Sequence, residues 1–253
     1  MLGAIINERN EKSDSKNPTH SGKISLSTFL LIHLMWLTNK LNIVGEHPFV
    51  FQGEAGQLEA SLTVPPQARE DYVALLGHPH SLQGGTMNNK VVTTISRAFK
   101  ELGIPSLRFN FRGVGQSEGS YDAGIGESQD MLALVGLWQQ ERPKARFLFA
   151  GFSFGSYVAY RAAAQCNNEL VITIAPPVHH YNYCEFSKVP KPWLIMQGEV
   201  DEVVSLTLVL DFAKQFSPPL PVACFAETSH FFHGKLIELK AKLIETIQAQ
   251  VSL

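Results

Sequence analysis

Cysteine is scarce in this sequence. Its 253 residues include three cysteines, Cys166, Cys184 and Cys224, which are scattered along the chain and odd in number. They form neither a disulfide framework nor the close spacing of metal ligands. The sequence therefore favours a reducing compartment, and we expect a cytoplasmic protein.

An excess of charge of either sign is also lacking. The formal net charge is −2, and charged residues make up 17% of the chain. A nucleic acid or an anionic membrane surface would call for a basic patch, so we expect neither as a partner. The length is enough for one large α/β domain, which we expect as a monomer or homodimer.

Long apolar runs are missing as well. The strongest, residues 29–37, is interrupted by His33 and is shorter than the roughly 20 apolar residues that a membrane-spanning helix needs. We therefore predict no stable membrane span, and the run also does not fit a secretory signal. We interpret residues 1–47 as a disordered or loosely packed extension to a domain at 48–253. The extension could be a dispensable tail or carry a helix that lies on the domain, or the natural start could lie near Met35.

From residue 48 onwards, strand-like and helix-like patterns alternate. Short apolar runs predict strands, and apolar residues spaced three or four apart predict helices. The predicted strands are 49–51, 58–64, 72–76, 106–111, 147–150, 170–175, 193–196 and 222–226, and the predicted helices are 91–102, 127–140, 156–165, 206–216 and 231–251. This order predicts a three-layer α/β fold. Its mostly parallel, twisted sheet would have about eight strands, an antiparallel N-terminal edge and helices on both faces.

A Gly-x-Ser-x-Gly motif follows the predicted strand 147–150 and precedes a predicted helix. In it Gly151 and Gly155 flank Ser153. A sharp turn from strand to helix brings backbones close together, so glycine is needed on both sides. The turn would expose the hydroxyl of Ser153 at a helix N-terminus, where developing negative charge is favoured. Ser153 is thus predicted to be a nucleophile, the alternative being a helix cap.

Two further strand ends carry the residue types that a serine nucleophile requires. A serine hydroxyl needs a base to take its proton, and an imidazole can do this near neutral pH. His230 follows the last predicted strand and is our candidate, with His233 as the rival that we place on the following helix. Asp201 follows strand 193–196 and would orient the imidazole.

Glu199 and Glu202 are alternatives to Asp201. The reaction also needs donors for an oxyanion. We predict the backbone N–H of Phe154, next to the nucleophile, and that of His80, in the loop after strand 72–76. Pro79 has no N–H, and Ser81 is the alternative to His80.

These segments together resemble the α/β-hydrolase superfamily, in particular small lidless bacterial esterase-like hydrolases. The resemblance rests on residues 77–87, 108–119, 151–155, 198–203 and 229–232, which occur in family order. It implies a triad of Ser153, Asp201 and His230 and the hydrolysis of esters or thioesters, without a cofactor. Within 108–119, Arg112 is interpreted as a residue that orders the loop.

Relatives with a lid insert helices after the strand that here ends near residue 175. Only residues 176–192 precede the next predicted strand, which is too short for a helical lid. We therefore predict a shallow, open pocket that favours small acyl groups in an ester substrate. Its predicted walls are formed by His80, Ser81, Phe152, Phe154, Val178, His179 and Tyr181.

Other functions are less consistent with the sequence. The glycines of residues 113–119 do not have dinucleotide-binding spacing, and the histidines lack the helical spacing of a zinc site. No metal is therefore expected. A non-catalytic protein that keeps the fold to bind a ligand or partner is the main alternative, and an acyltransferase or peptidase could use the same site.

Overall fold

The computed structural model describes residues 36–252, and the predictions for residues 1–35 lie outside them. An eight-stranded sheet runs through this part of the chain in the order β1-β2-β4-β3-β5-β6-β7-β8. The strands are β1 (Gly45–Gly53), β2 (Gly56–Val64), β3 (Tyr72–Gly77), β4 (Ser106–Phe109), β5 (Arg146–Phe152), β6 (Leu170–Ile174), β7 (Trp193–Gly198) and β8 (Val222–Phe225). β1 and β2 are antiparallel, and β2 is antiparallel to β4. All pairings from β4 to β8 are parallel, so the predicted fold class is confirmed.

Helices cover both faces of this sheet. They are α1 (Trp36–Leu41), α2 (Lys90–Glu101), α3 (Ile125–Glu141), α4 (Phe154–Ala164), α5 (Leu206–Ala213) and α6 (Leu236–Gln250). One core cluster packs α1, α3, α4 and α5 against one face, and a second packs α2 and α6 against the other. Alternate residues of β3 and β5 point into opposite clusters, which explains why the central strands are apolar throughout.

Many element bounds differ from the sequence prediction by a few residues, and three of these differences bear on the domain boundary and the site. α1 begins at Trp36 and β1 at Gly45, so regular structure starts before the predicted domain boundary at residue 48. β4 ends at Phe109 rather than at residue 111. The last helix begins at Leu236 rather than at residue 231, because Phe232 and Gly234 have positive φ angles of 54° and 73° that a helix does not allow.

The connection between β6 and β7 is short, as predicted. In the described part of the chain it contains no helix and runs as turns and bends. The carboxyl ends of the parallel strands are therefore left without a helical cover above them. Within residues 36–252, no helix combines the length and the apolar content that crossing a membrane requires.

Candidate active site

Ser153 occupies the turn between β5 and α4. Its φ of 52° and ψ of −124° are unfavourable for a residue with a side chain, and such strain persists only where the surroundings enforce it. The N–H of Ser153 donates to the carbonyl of Ile174 at 2.8 Å. Its carbonyl accepts from the N–H of Ser156 at 2.9 Å and from the Ser156 hydroxyl at 2.6 Å. Bonds on both sides of Ser153 thus hold the strained turn.

Glycines allow this turn to fit under the neighbouring strand. A Cβ atom at Gly151 would lie 2.6 Å from the backbone nitrogen of Ser156. A Cβ atom at Gly155 would overlap the backbone of Gly77 and His78, at the end of β3. The sequence prediction that both motif glycines serve close backbone approach agrees with this geometry, and Gly77 is a third glycine of the same contact.

The structure brings Ser153, His230 and Asp201 together in one hydrogen-bonded line. The Oγ of Ser153 lies 3.1 Å from Nε2 of His230, and Nδ1 of His230 lies 2.8 Å from Oδ2 of Asp201. Because a carboxylate only accepts, Nδ1 carries the proton and Nε2 is left to accept from the serine hydroxyl. His230 and Asp201 are buried, whereas Ser153 is partly accessible. This arrangement can transfer the hydroxyl proton to the imidazole when a substrate is attacked.

Both oxygens of the Asp201 carboxylate are hydrogen-bonded, Oδ2 to His230 and Oδ1 to the backbone. Oδ1 accepts from the N–H groups of Val203 at 2.9 Å and Val204 at 2.7 Å. Burial raises the pKa of Asp201, but the hydrogen bonds from His230 and Val204 outweigh it and hold the pKa below its usual value. The ionised carboxylate is therefore the stable form beside the imidazole.

The rival residues lie elsewhere. Glu199 is exposed, and Glu202 accepts from the backbone N–H of His230 at 3.2 Å rather than from its ring. The prediction that His233 lies on the last helix is wrong, because α6 begins only at Leu236. It is an exposed loop residue whose ring centroid is 5.9 Å from that of Phe231.

The two predicted oxyanion donors belong to the turn after Ser153 and to the loop after β3. Phe154 begins α4, and His80 precedes a single 3₁₀ turn, Ser81–Gln83. The His80 carbonyl accepts from the N–H groups of Gln83 and Gly85, each at 3.0 Å, which fixes the loop. Among residues 36–252, no acceptor is bonded to the N–H of Phe154 or of His80. Both groups are available to a ligand atom.

His78 fixes the base of the same loop. Its ring is fully buried, its Nδ1–H donates to the carbonyl of Pro79 at 2.7 Å, and its Nε2 accepts from the N–H of Phe111 at 2.9 Å. Burial lowers the pKa of His78 to about 3, against a weaker opposing effect of the Pro79 carbonyl. His78 is therefore a neutral structural residue.

An aromatic wall lines the site beside the oxyanion donors. The His80 ring centroid is 4.9 Å from that of Tyr121 and 5.2 Å from that of Phe154. The Tyr121 hydroxyl is 3.2 Å from the Tyr181 hydroxyl, and the Tyr181 ring packs on Phe154 at 5.5 Å. Sequence reasoning missed Tyr121. The available signal was that Tyr121 is the only aromatic residue in the glycine-rich stretch 113–126.

A groove of about 360 Å³ extends from this wall between the β6–β7 connection and α5. Val178, His179 and Tyr181, which were predicted as pocket residues, line it together with Asn182, Tyr183, Cys184, Leu208, Asp211, Phe212 and Gln215. The other four predicted walls, His80, Ser81, Phe152 and Phe154, do not line the groove, and neither do Ser153 and His230. Phe152 is fully buried, and its ring packs beneath His230 with centroids 5.1 Å apart. It therefore supports the imidazole rather than forming a pocket wall.

Three histidines, His80, His179 and His180, lie near one another beside the groove. The rings of His179 and His180 have centroids 3.9 Å apart. Burial and the neighbouring His180 lower the pKa of His179, against the attraction of Asp201. Burial and the same neighbour lower the pKa of His80. Within the described residues, no group of three or more His, Cys, Asp or Glu side chains is arranged to hold a metal ion.

Comparison with known proteins identifies the class. The structure superposes on a lidless α/β serine hydrolase from Xanthomonas campestris with a TM-score of 0.79 and 37% identity, covering 83% of this chain and 97% of that one. An α/β serine hydrolase homologue from Coxiella burnetii gives a TM-score of 0.76 and 41% identity over 81% of this chain and 99% of that one. An uncharacterized protein of Rickettsia prowazekii is 38% identical over 176 residues, 66% of this chain and 72% of the relative. No family model matches the sequence. The chain belongs to the α/β-hydrolase superfamily, and it is a hydrolase without a lid.

Proposed function

We propose that this protein cleaves small carboxylic esters or thioesters through an acyl-enzyme formed on Ser153. The observation that carries the proposal is the line of hydrogen bonds from the Ser153 hydroxyl through His230 to Asp201. It joins a nucleophile, a base and an orienting carboxylate in the roles that acyl transfer needs.

Each step uses groups already described. Nε2 of His230 takes the proton of Ser153 as Oγ attacks the carbonyl carbon, and the oxyanion accepts from the N–H groups of Phe154 and His80. The imidazolium, stabilised by Asp201, then gives its proton to the departing alcohol or thiol, and the acyl group remains on Oγ. Water, deprotonated by His230, attacks the acyl-enzyme, and the carboxylic acid and free Ser153 result.

The groove beside Tyr181 supports a preference for compact substrates. Its lining includes the apolar side chains of Val178, Leu208 and Phe212, and the connection between β6 and β7 has no helix to enclose a long chain. An acetyl, butyryl or small aromatic group fits a groove of about 360 Å³. We expect acetyl and butyryl esters to be cleaved with a higher kcat/KM than esters of long-chain acids.

A fluorophosphonate probe tests the nucleophile directly. It should label wild-type protein at Ser153 and leave Ser153→Ala unlabelled, as shown by mass spectrometry of the modified peptide. A panel of nitrophenyl esters, thioesters and amides then defines the reaction. Absence of labelling would favour a non-catalytic binding protein. Turnover only with amides, or only with an added acyl acceptor, would favour a peptidase or an acyltransferase.

A bulky side chain in the groove tests the substrate site. Leu208→Trp should lower kcat/KM for butyryl and larger acyl groups by roughly 10-fold while leaving acetyl esters nearly unchanged, because the added ring fills the groove. Ile237→Trp is the matched control, since Ile237 is 84% exposed on α6 and is not part of the groove. Equal effects of the two substitutions would count against the groove as the acyl site.

A further inference from the structure

The side chain of Gln197 lies next to Asp201 and donates to the same carboxylate oxygen as His230. It is fully buried at the end of β7. Its Nε2 donates to Oδ2 of Asp201 at 3.0 Å and to the carbonyl of Val204 at 2.8 Å. The same Oδ2 accepts from Nδ1 of His230. One carboxylate oxygen is thus shared between a fixed amide and the imidazole.

The orientation of the Gln197 amide follows from its partners. Both Asp201 Oδ2 and the Val204 carbonyl can only accept, so the amide nitrogen must face them. This leaves Oε1 of Gln197 buried with no partner in the described part of the chain. An unpaired buried acceptor costs free energy, so the side chain is a poor choice for stability alone. The position of Gln197 is better explained by the hydrogen bond that its Nε2 donates to Asp201.

We propose that Gln197 is a positioning residue that fixes the rotation of the Asp201 carboxylate and moderates its pull on His230, an inference that rests on the proposed function. The backbone N–H groups of Val203 and Val204 hold only Oδ1. Gln197 supplies the remaining fixed donor, to the oxygen that contacts the imidazole. By sharing Oδ2, it also reduces the negative charge available to the imidazolium.

Other titratable groups around this arrangement are few. Glu202 contacts the backbone of His230, and His179 interacts electrostatically with Asp201. Cys224 is the partner of Gln197 in the register of β7 and β8. All three remain unchanged in the variants below, so a shift in pH dependence reports the Gln197 substitution.

Two substitutions separate the proposed role from a structural one. In Gln197→Met the side-chain volume is kept and the donor is lost. Fluorophosphonate labelling of Ser153 should slow about 10-fold, the loss expected for a hydrogen bond to a charged group. The acid limb of its pH profile should move to higher pH, because Asp201 then holds the protonated imidazole more strongly. In Gln197→Glu only the protonated acid can donate to Asp201, so labelling should fall as the new carboxyl ionises.

The control is Ser96→Ala. It removes a buried hydroxyl that is hydrogen-bonded to the side chains of Thr63 and Ser106 and does not contact the site. It should lower the unfolding temperature without changing the pH profile. If the pH profiles of labelling for both Gln197 variants matched that of the wild type, this inference would be wrong, and the proposed function would stand. Unfolding of both variants would make Gln197 a structural residue and overturn this inference too. Failure of the wild type to label at any pH would overturn the proposed function first, and this inference with it.

Discussion

The imidazole of His78 joins the end of β3 to Phe111, two residues beyond the end of β4. The two rings stack with centroids 3.9 Å apart, and the N–H of Phe111 donates to Nε2 of His78 at 2.9 Å. A second proton on the imidazole would remove this acceptor and place a charge in a fully buried site. Since His80 lies two residues further on, the neutral state of His78 also holds the proposed oxyanion loop in place.

The stability of the protein should therefore depend on pH through His78. A histidine in the unfolded chain has a pKa of about 6.5, whereas burial lowers the pKa of His78 to about 3. Between these values the unfolded state binds a proton that the folded state does not, so stability falls as the pH drops below about 6.5. Between pH 7 and pH 5, about 1.5 pH units lie below 6.5. Over this range the free energy of unfolding should fall by about 2 kcal/mol. Urea unfolding at pH 5, 6 and 7 measures the loss.

The variant His78→Gln serves as the control for that experiment. Its side chain can donate to Pro79 and accept from Phe111 but cannot bind a proton. The free energy of unfolding should change less between pH 7 and pH 5 in this variant than in the wild type. The same slope in both proteins would show that His78 is not the titrating group.

Gly155 should not tolerate a side chain. A Cβ atom there would overlap the backbone of Gly77 and His78, and neither segment can move without disturbing the sheet. We expect Gly155→Ala to lower the free energy of unfolding by more than about 3 kcal/mol or to prevent folding. Gly136→Ala is the matched control within α3, where a Cβ atom meets nothing within 4 Å. It should raise stability by roughly 0.5–1 kcal/mol. Equal stabilities in urea unfolding would contradict the close approach.

Much of this architecture follows from local patterns in the sequence. The predicted strands 72–76 and 147–150 correspond to β3 and β5, because residues buried on both faces leave an apolar run that is easily recognised. The ends were harder to predict. The strand predicted to reach residue 111 ends at Phe109, since Phe111 donates its N–H to His78 instead of to a neighbouring strand.

Only those site residues that belong to a recognisable local motif could be predicted from the sequence. Ser153, Asp201 and His230 follow strands in a recognisable order, and the structure brings them within hydrogen-bonding distance. Tyr121 and Gln197 carry no such signal. Their places depend on contacts with Tyr181, 60 residues away, and on the way in which β7 presents its last side chains. Such long-range packing is set by the whole fold rather than by a local pattern.

Arg112 should stabilise the loop that carries Tyr121. Its Nε lies 2.8 Å from Oδ2 of the fully buried Asp130, and it donates to the carbonyl of Gly126 at 2.9 Å. Removing the guanidinium leaves the Asp130 charge buried without its ionic partner. We therefore expect Arg112→Met to lower the free energy of unfolding by about 3 kcal/mol or more. Lys214→Met, which breaks an exposed pair with Asp211, should cost less than about 1 kcal/mol. Urea unfolding compares the two, and similar small losses would argue against a loop-ordering role for Arg112.

The choice of Asp201 over Glu199 can be tested by removing one charge at a time. Asp201→Asn keeps the shape but takes the negative charge from beside His230, so the imidazolium formed during attack is no longer stabilised. The kcat for a nitrophenyl acetate should fall by about 10³–10⁴-fold. Glu199→Gln removes an exposed carboxylate that does not contact the imidazole, and kcat should stay within about 2-fold of the wild type. If Glu199→Gln were the more damaging change, Glu199 rather than Asp201 would be the carboxylate that orients His230 during turnover, and the proposed triad would be wrong.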